Sequence, residues 1–364
     1  MAGTKKSPPE DQAGKLESSE GPEQTFKSRV HRYNEAKTKA CQILDEIPYH
    51  IDKYKTKDKL KIQKAYDSMC DCGNWLLFRH YYTKDQYKLK GANFCKKALV
   101  CPLCAIRRSA KATAAVHDKV LKVMAEQPDL KLSLMTLTVK NRADLEQCKE
   151  HISRSLSRIN QRGKEARTGR KNGSEFAKMV GGAFSFENKK GRNSQLWHVH
   201  LHGLVLHRDD FHMCWNQAEQ QMVPGALRDE WFRITGDSFH VHLRPFKDPL
   251  NPINDICEVT SYAMKFSSMN TADLLKSYLI FSGARLLRFY GALYNLQVPT
   301  ELTDELLQGD LPYIDYMYRF HYGSGYSLSP EETKKGVQEV EIDQTVQRAE
   351  NKRIWREQIK GVVS

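Results

Sequence analysis

The order of periodic segments predicts an α+β fold built on a mainly antiparallel sheet. Three observations carry this. The stretch Leu132-Ser-Leu-Met-Thr-Leu-Thr-Val139 alternates apolar and hydroxyl residues with period two and reads as a strand. A helix follows over 144–163, because Leu145, Cys148, Ile152, Leu156 and Ile159 recur at spacings of 3, 4, 4 and 3 on one apolar face. A strand pair then spans 181–188 and 196–206 around a polar turn at 189–194.

The remaining elements fit the same class. An Ala/Lys-rich helix is expected over 105–125, a strand over 238–245, and helices over 253–267 and 271–295 after a loop broken by Pro249 and Pro252. Residues 1–25 are rich in Pro, Gly, Ser, Lys and Glu and read as a disordered tail. A basic Cys-rich module over 26–125 and a second domain over 130–300 follow, then a charged helical tail over 301–364.

Composition narrows the classes. The 364 residues carry 57 Lys+Arg against 44 Asp+Glu, a net charge of +13, and 40% are hydrophobic, enough for a sizeable core. No apolar run approaches the roughly 18 residues that span a bilayer, and the polar N-terminus offers no secretory segment. These features argue against membrane and secreted classes, and a cytoplasmic location is expected. Residues 51–122 hold 17 basic and 6 acidic side chains, a local +11 that favours a polyanion. The helix at 144–163 adds Arg154, Arg158 and Arg162 at i, i+4 and i+8, either a phosphate track or a solvated face.

Of the nine cysteines, Cys41, Cys148, Cys214 and Cys257 are scattered. Cys70, Cys72, Cys95, Cys101 and Cys104 cluster, and Cys101-Pro-Leu-Cys104 has the spacing of a zinc knuckle. In a chain without a secretory segment, such a cluster points to metal rather than disulfides.

Trp197-His-Val-His-Leu-His-Gly203 is the most informative short segment. Residues i and i+2 of a strand share a face, so His198, His200 and His202 point one way while Val199 and Leu201 point the other. Imidazoles so spaced suit a divalent metal, and Glu187, at the end of the preceding strand, can add a hard oxygen ligand. Phe239-His-Val-His-Leu243 also puts His240 and His242 on one face and could border the same cleft.

On the helix at 253–267, Glu258, Tyr262 and Lys265 fall at i, i+4 and i+7, close enough to share one small volume. A phenol can attack phosphorus and hold a DNA end as phosphotyrosine. A neighbouring cation offsets charge on the phosphate, and a carboxylate one turn away can take a proton from water.

Together these residues resemble the replication initiators of small rolling-circle plasmids, a branch of the HUH endonucleases. The family's first motif is similar to Leu134-Met-Thr-Leu-Thr-Val-Lys-Asn141, its metal motif to His198-Val-His-Leu-His202, and its upstream carboxylate to Glu187. Its nucleophile motif matches Tyr262 and Lys265, with Glu258 in the position that activates water at termination.

The resemblance implies an HUH fold, with about five antiparallel strands, the histidines on a middle strand, and the Tyr helix across the cleft. It implies a metal-dependent, site-specific nickase. Origin DNA is the expected partner, as duplex or hairpin plus single strand, with host helicase and polymerase, and Mn²⁺ or Mg²⁺ as cofactor. Whether the chain acts as a dimer stays open. A similar cysteine set in these initiators singles out Cys72, Cys95, Cys101 and Cys104 for structural Zn²⁺, with Cys70 the alternative to Cys72. Arg107, Arg108 and Lys111 on the following helix would then face DNA. The rival readings are an HUH transposase or relaxase, which the cysteine module and Glu–Tyr pair argue against, and a zinc-dependent DNA-binding regulator that cuts nothing.

Overall fold

The computed structural model describes residues 22–170, 173–191, 193–261, 269–308, 311–329 and 334–335. The elements run α1 (Pro22–Glu46), α2 (Pro48–Ile51), α3 (Thr56–Cys70), β1 (Trp75–Tyr81), β2 (Gln86–Ala92), α4 (Pro102–Glu126), β3 (Lys131–Thr138) and α5 (Leu145–Arg167). They continue β4 (Met179–Lys190), β5 (Trp197–His207), β6 (Cys214–Asn216), β7 (Gln221–Val223), α6 (Gly225–Thr235), β8 (Val241–Pro245) and α7 (Ile253–Thr260). Last come α8 (Thr271–Phe281), β9 (Leu287–Gly291), β10 (Ile314–His321), β11 (Gly325–Leu328) and β12 (Lys334–Lys335).

A five-stranded sheet in the order β8-β3-β5-β4-β9 forms the centre, antiparallel throughout, with the histidine strand β5 in the middle. Strand parity divides its two faces. Val199, Leu201 and Val205 of β5 pack against Cys148, Ile152 and Leu156 of α5 and Leu227 and Trp231 of α6. Asp144 starts α5 as an N-cap, accepting from the Glu146 and Gln147 amides. On the opposite face, Leu204 and Leu206 pack against Val116, Val120 and Val123 of α4 and Ile256 and Val259 of α7. Each such fully buried aliphatic side chain stabilises the fold by roughly 1.5–3 kcal/mol. Gly203 sits at the changeover between Leu204 and His202. A Cβ there would lie 2.4 Å from the Phe184 ring on β4, so a side chain is excluded.

The second sheet, in the order β11-β10-β1-β2 with β12 beside β10, covers a separate core built from α1, α3 and the start of α4. Two expectations are corrected by the strands. Residues 314–321 and 325–328, placed in a helical tail, are strands that return to pair with β1 and with each other. Tyr316, Tyr318 and Phe320 alternate with Asp315, Met317 and Arg319, a period of two. The helix expected over 271–295 ends at Phe281. Gly283 (φ +82°) breaks it, and Leu287–Gly291 becomes the edge strand β9. Residues 1–21 and 336–364, which include most of the expected N-terminal tail and the end of the expected C-terminal one, lie outside the described residues.

Candidate functional site

The sheet face that is apolar at Leu204 and Leu206 turns polar at His202 and His200. Across the strands, Thr136 pairs with His202 and Thr138 with His200 on one side. Ser185 pairs with His202 and Glu187 with His200 on the other. The buried Glu187 carboxylate reaches diagonally, placing Oε2 2.6 Å from His202 Nε2. On the β3 side, Thr138 Oγ1 lies 2.9 Å from His200 Nδ1, and Thr136 Oγ1 lies 3.4 Å from His202 Nδ1. Thr138 Oγ1 can therefore accept from His200 Nδ1–H, the tautomer that leaves that ring's Nε2 with its lone pair, whereas the close approach of His202 Nε2 to Glu187 Oε2 has that nitrogen donating its N–H to the carboxylate. Burial pushes the His200 imidazole down to about 4, with Glu187 opposing and His202, His198 and Lys189 adding to the fall. It is neutral at neutral pH, the form that ligates a metal.

Two imidazoles and a carboxylate on adjacent strands are donor types that suit a divalent cation; His202 and Glu187 meet directly, and the His200 and His202 ring centroids lie 6.3 Å apart. His198 lies further along β5, opposite Lys189. Its Nε2 lies against the β4–β5 turn, 2.7 Å from where a Cβ on Gly191 would be. His242 on β8 pairs with Thr136 and lines an adjoining cleft of about 240 Å³ with Arg244, Glu258 and the β7 residues Gln221, Met222 and Val223. Of the second histidine pair, His242 lines this cleft and His240 does not.

Glu258 lies in the last turn of α7 and is half exposed. Its Oε2 accepts from Arg244 Nη2 at 2.8 Å, and the same Nη2 lies 2.8 Å from Asp255 Oδ1. The end of α7 is pinned to α4 by Thr113 Oγ1 and Thr260 Oγ1 at 2.6 Å and by Ser109 Oγ donating to the Thr260 carbonyl at 3.3 Å. Tyr262 and Lys265 follow immediately, in residues 262–268, outside the described residues.

The cysteines form a second centre. Among the described residues, Cys72, Cys95, Cys101 and Cys104 bring their Sγ atoms within 4.8 Å of one another. Three of the separations are 3.5–3.6 Å: Cys72–Cys101, Cys72–Cys104 and Cys95–Cys104. A tetrahedral ZnS₄ centre with Zn–S near 2.3 Å has S···S edges of about 3.8 Å, so the four sulfurs can hold a structural metal such as zinc. Cys72, not Cys70, completes the set. Hydrogen bonds from Cys101, Cys72 and Cys95, and then burial, push the Cys104 thiol up; a bound dication inverts that balance. Gly73 (φ +69°) turns the chain into β1 beside Cys72, where a Cβ would strike Leu103 Cδ2 at 2.1 Å.

The arginines separate into different roles. Arg107, expected to face DNA, is buried: it donates to the Leu302 carbonyl (2.6 Å), Tyr33 Oη (2.8 Å) and Asp304 Oδ1 (2.6 Å). Arg29 also binds Asp304, so these two cations clamp the 302–304 loop onto α1 and α4. Arg158 donates to the Ile234 carbonyl and Arg162 to the buried Glu230, tying α5 to α6. Arg154 remains exposed. Arg108 donates to the Pro299 carbonyl at the surface, and Lys111 is half-buried.

Thr136 and Thr138 are the site residues that sequence reasoning missed. Their signal was present, two hydroxyls at i and i+2 in a strand, but their pairing with the histidines depends on sheet order.

The chain belongs to the replication protein family, whose model matches residues 86–310, from β2 through the central sheet to the Asp304 loop. It is 28% identical over 179 residues to a Protein rep of Streptococcus pneumoniae serotype 2 (strain D39 / NCTC 7466), 49% of this chain and 50% of that protein. It is 24% identical over 267 residues to a Protein rep of Lactiplantibacillus plantarum, 70% of this chain and 80% of that one. The chain thus spans about half the length of the pneumococcal relative. No solved structure matches. Among the described residues, no helix is long and apolar enough to cross a membrane.

Proposed function

We propose that this chain is an HUH-type initiator of rolling-circle plasmid replication. It binds the double-strand origin, nicks one strand, and ends the round by a second cleavage and rejoining. The observation that carries the reading is the alignment of His200, His202 and Glu187 on adjacent middle strands of a five-stranded antiparallel sheet, with α7, which ends two residues before Tyr262, packed on the same face. A Mn²⁺ or Mg²⁺ ion held by these side chains would polarise the scissile phosphate.

The chain's own residues do the rest. Attack of the Tyr262 phenolic oxygen on phosphorus breaks the P–O3′ bond, giving a 5′-phosphotyrosine and a free 3′-OH primer. The Lys265 ammonium offsets charge on the attacked phosphate. At termination the Glu258 carboxylate takes a proton from water, for which its ion pair with Arg244 must part. The zinc-stapled module, with Arg108, Lys111 and Arg154 as exposed or half-exposed cations, grips duplex DNA; host helicase and polymerase then extend the primer.

The test is adduct formation on single-stranded oligonucleotides spanning the candidate origin, with Mn²⁺ or Mg²⁺. Wild type should give a denaturation-resistant protein–DNA adduct and Tyr262→Phe none, while Glu258→Gln should form the adduct but lose hydrolytic release. If wild type gives no adduct, the reading fails in favour of a zinc-dependent DNA binder that does not cut.

A further inference from the structure

The β6–β7 hairpin is unused by the chemistry above. Its cross-strand partners Trp215 and Met222 are 59% and 53% exposed, an unusual way to leave two large apolar side chains on a small ribbon. The hairpin is nevertheless rigidly held. Arg228 of α6, itself buried, binds both oxygens of Glu219 at the hairpin turn (2.5 and 2.9 Å) and donates to the Val241 carbonyl of β8. Asn216 Oδ1 accepts from the Ala218 and Glu219 amides, closing the turn. A fixed ribbon that presents a Trp and a Met to solvent is built to meet something.

Its position says what. Met222 lines the same cleft as Thr136, His242, Arg244 and Glu258, and Thr136 is the hydroxyl beside His202 Nδ1. Cys214 to Val223 contains no Lys or Arg, and its one carboxylate, Glu219, is neutralised by Arg228. Such a surface has little to offer a phosphate and does not repel one. An indole and a thioether do match the π-face of an unpaired base.

We propose that the β6–β7 hairpin is a stacking platform for unpaired bases of the single strand beside the nicking site, with Trp215 as the principal contact and Met222 as its neighbour. The proposal rests on the nicking reading for its choice of ligand. Stacking rather than ion pairing sets the signature: the contribution should be specific to single strands and nearly independent of salt.

The experiment is fluorescence anisotropy with full-length protein in EDTA, so that binding is read without cleavage. The probes are a labelled dT 20-mer, a mixed-sequence 20-mer and the duplex of that sequence, each at 50 and 200 mM salt. Trp215→Ala should weaken single-strand binding about 5- to 100-fold. Duplex affinity and the salt slope should stay unchanged, and Trp215→Phe should recover most of the loss. Met222→Ala should fall between the two.

Single-strand affinity of Trp215→Ala within twofold of wild type would overturn the proposal, as would an equal loss on single strand and duplex. Wild type that binds neither single strand would do the same. Normal adduct formation with Trp215-independent binding removes the platform alone. Trp215-dependent binding with no adduct removes the nicking reading alone.

Discussion

Thr138 offers the sharpest test of how the histidine centre is held. Thr138→Val keeps the β-branched shape that suits β3 and removes only the hydroxyl 2.9 Å from His200 Nδ1. His200 then either leaves a half-buried N–H without its acceptor, at about 1–3 kcal/mol, or moves its proton to Nε2 and loses the lone pair that would face a metal. Both routes lower metal affinity, by about 10- to 100-fold on the scale of lost partners of ligand histidines. Thr136→Val should cost less, because its 3.4 Å separation from His202 Nδ1 is long for a hydrogen bond. The assay is Mn²⁺ titration of the full chain followed by electron paramagnetic resonance, without DNA, with thermal melts as a folding control. Thr138→Ser should restore affinity. If His200→Ala abolishes Mn²⁺ binding while Thr138→Val stays within twofold of wild type, the hydroxyl plays no part and the reasoning is refuted.

Two further outcomes are expected. Metal analysis of the purified chain should find about one zinc, lost in Cys104→Ala and retained in Cys70→Ala, since Cys70 stands outside the four-sulfur group. Zinc retained by Cys104→Ala would count against that centre. The second outcome concerns acid stability. Burial alone would raise the Asp304 carboxyl, but Arg29, Arg107 and the Leu89 amide outweigh it and hold it at about 2. A carboxyl depressed on folding stabilises the native state above its unfolded value near 4, and that contribution, about 2 kcal/mol, is lost as pH falls from about 4 towards 2. Urea unfolding at pH 6 and pH 3 should therefore show a smaller pH-dependent loss in Asp304→Asn, though that variant is weaker at pH 6. Equal losses in both proteins would contradict the assignment.

What could be read from the sequence follows the range of each signal. The shared face of His200 and His202 was legible because strand parity is local and needs no partner. Glu187 was legible because a short turn makes β4 and β5 neighbours. Thr136 and Thr138 could not be assigned, because β3 joins β5 only after α5 and β4 intervene in the chain. Arg107 shows the opposite failure. Helical periodicity describes a helix's own faces and cannot register that residues 302–304 fold back over α4. β9 was absorbed into a helix because Leu286-Leu-Arg-Phe-Tyr290 has apolar residues compatible with either period, and only the break at Gly283 decides.

The two centres are mechanically linked through α4. Cys101 and Cys104 bracket its first turn, and Thr113, nine residues past Cys104 and so about 13 Å along the axis, holds the end of α7. Val116, Val120 and Val123 then seat the same helix on the sheet face whose far end carries the histidines. One rod therefore runs from the four sulfurs, past the anchor for the helix that precedes Tyr262, onto the apolar part of the sheet face. The cysteine centre holds the start of that rod. Its leverage is positional: fixing the start of α4 fixes where Thr113 stands, and with it the point from which the chain leaves Thr260.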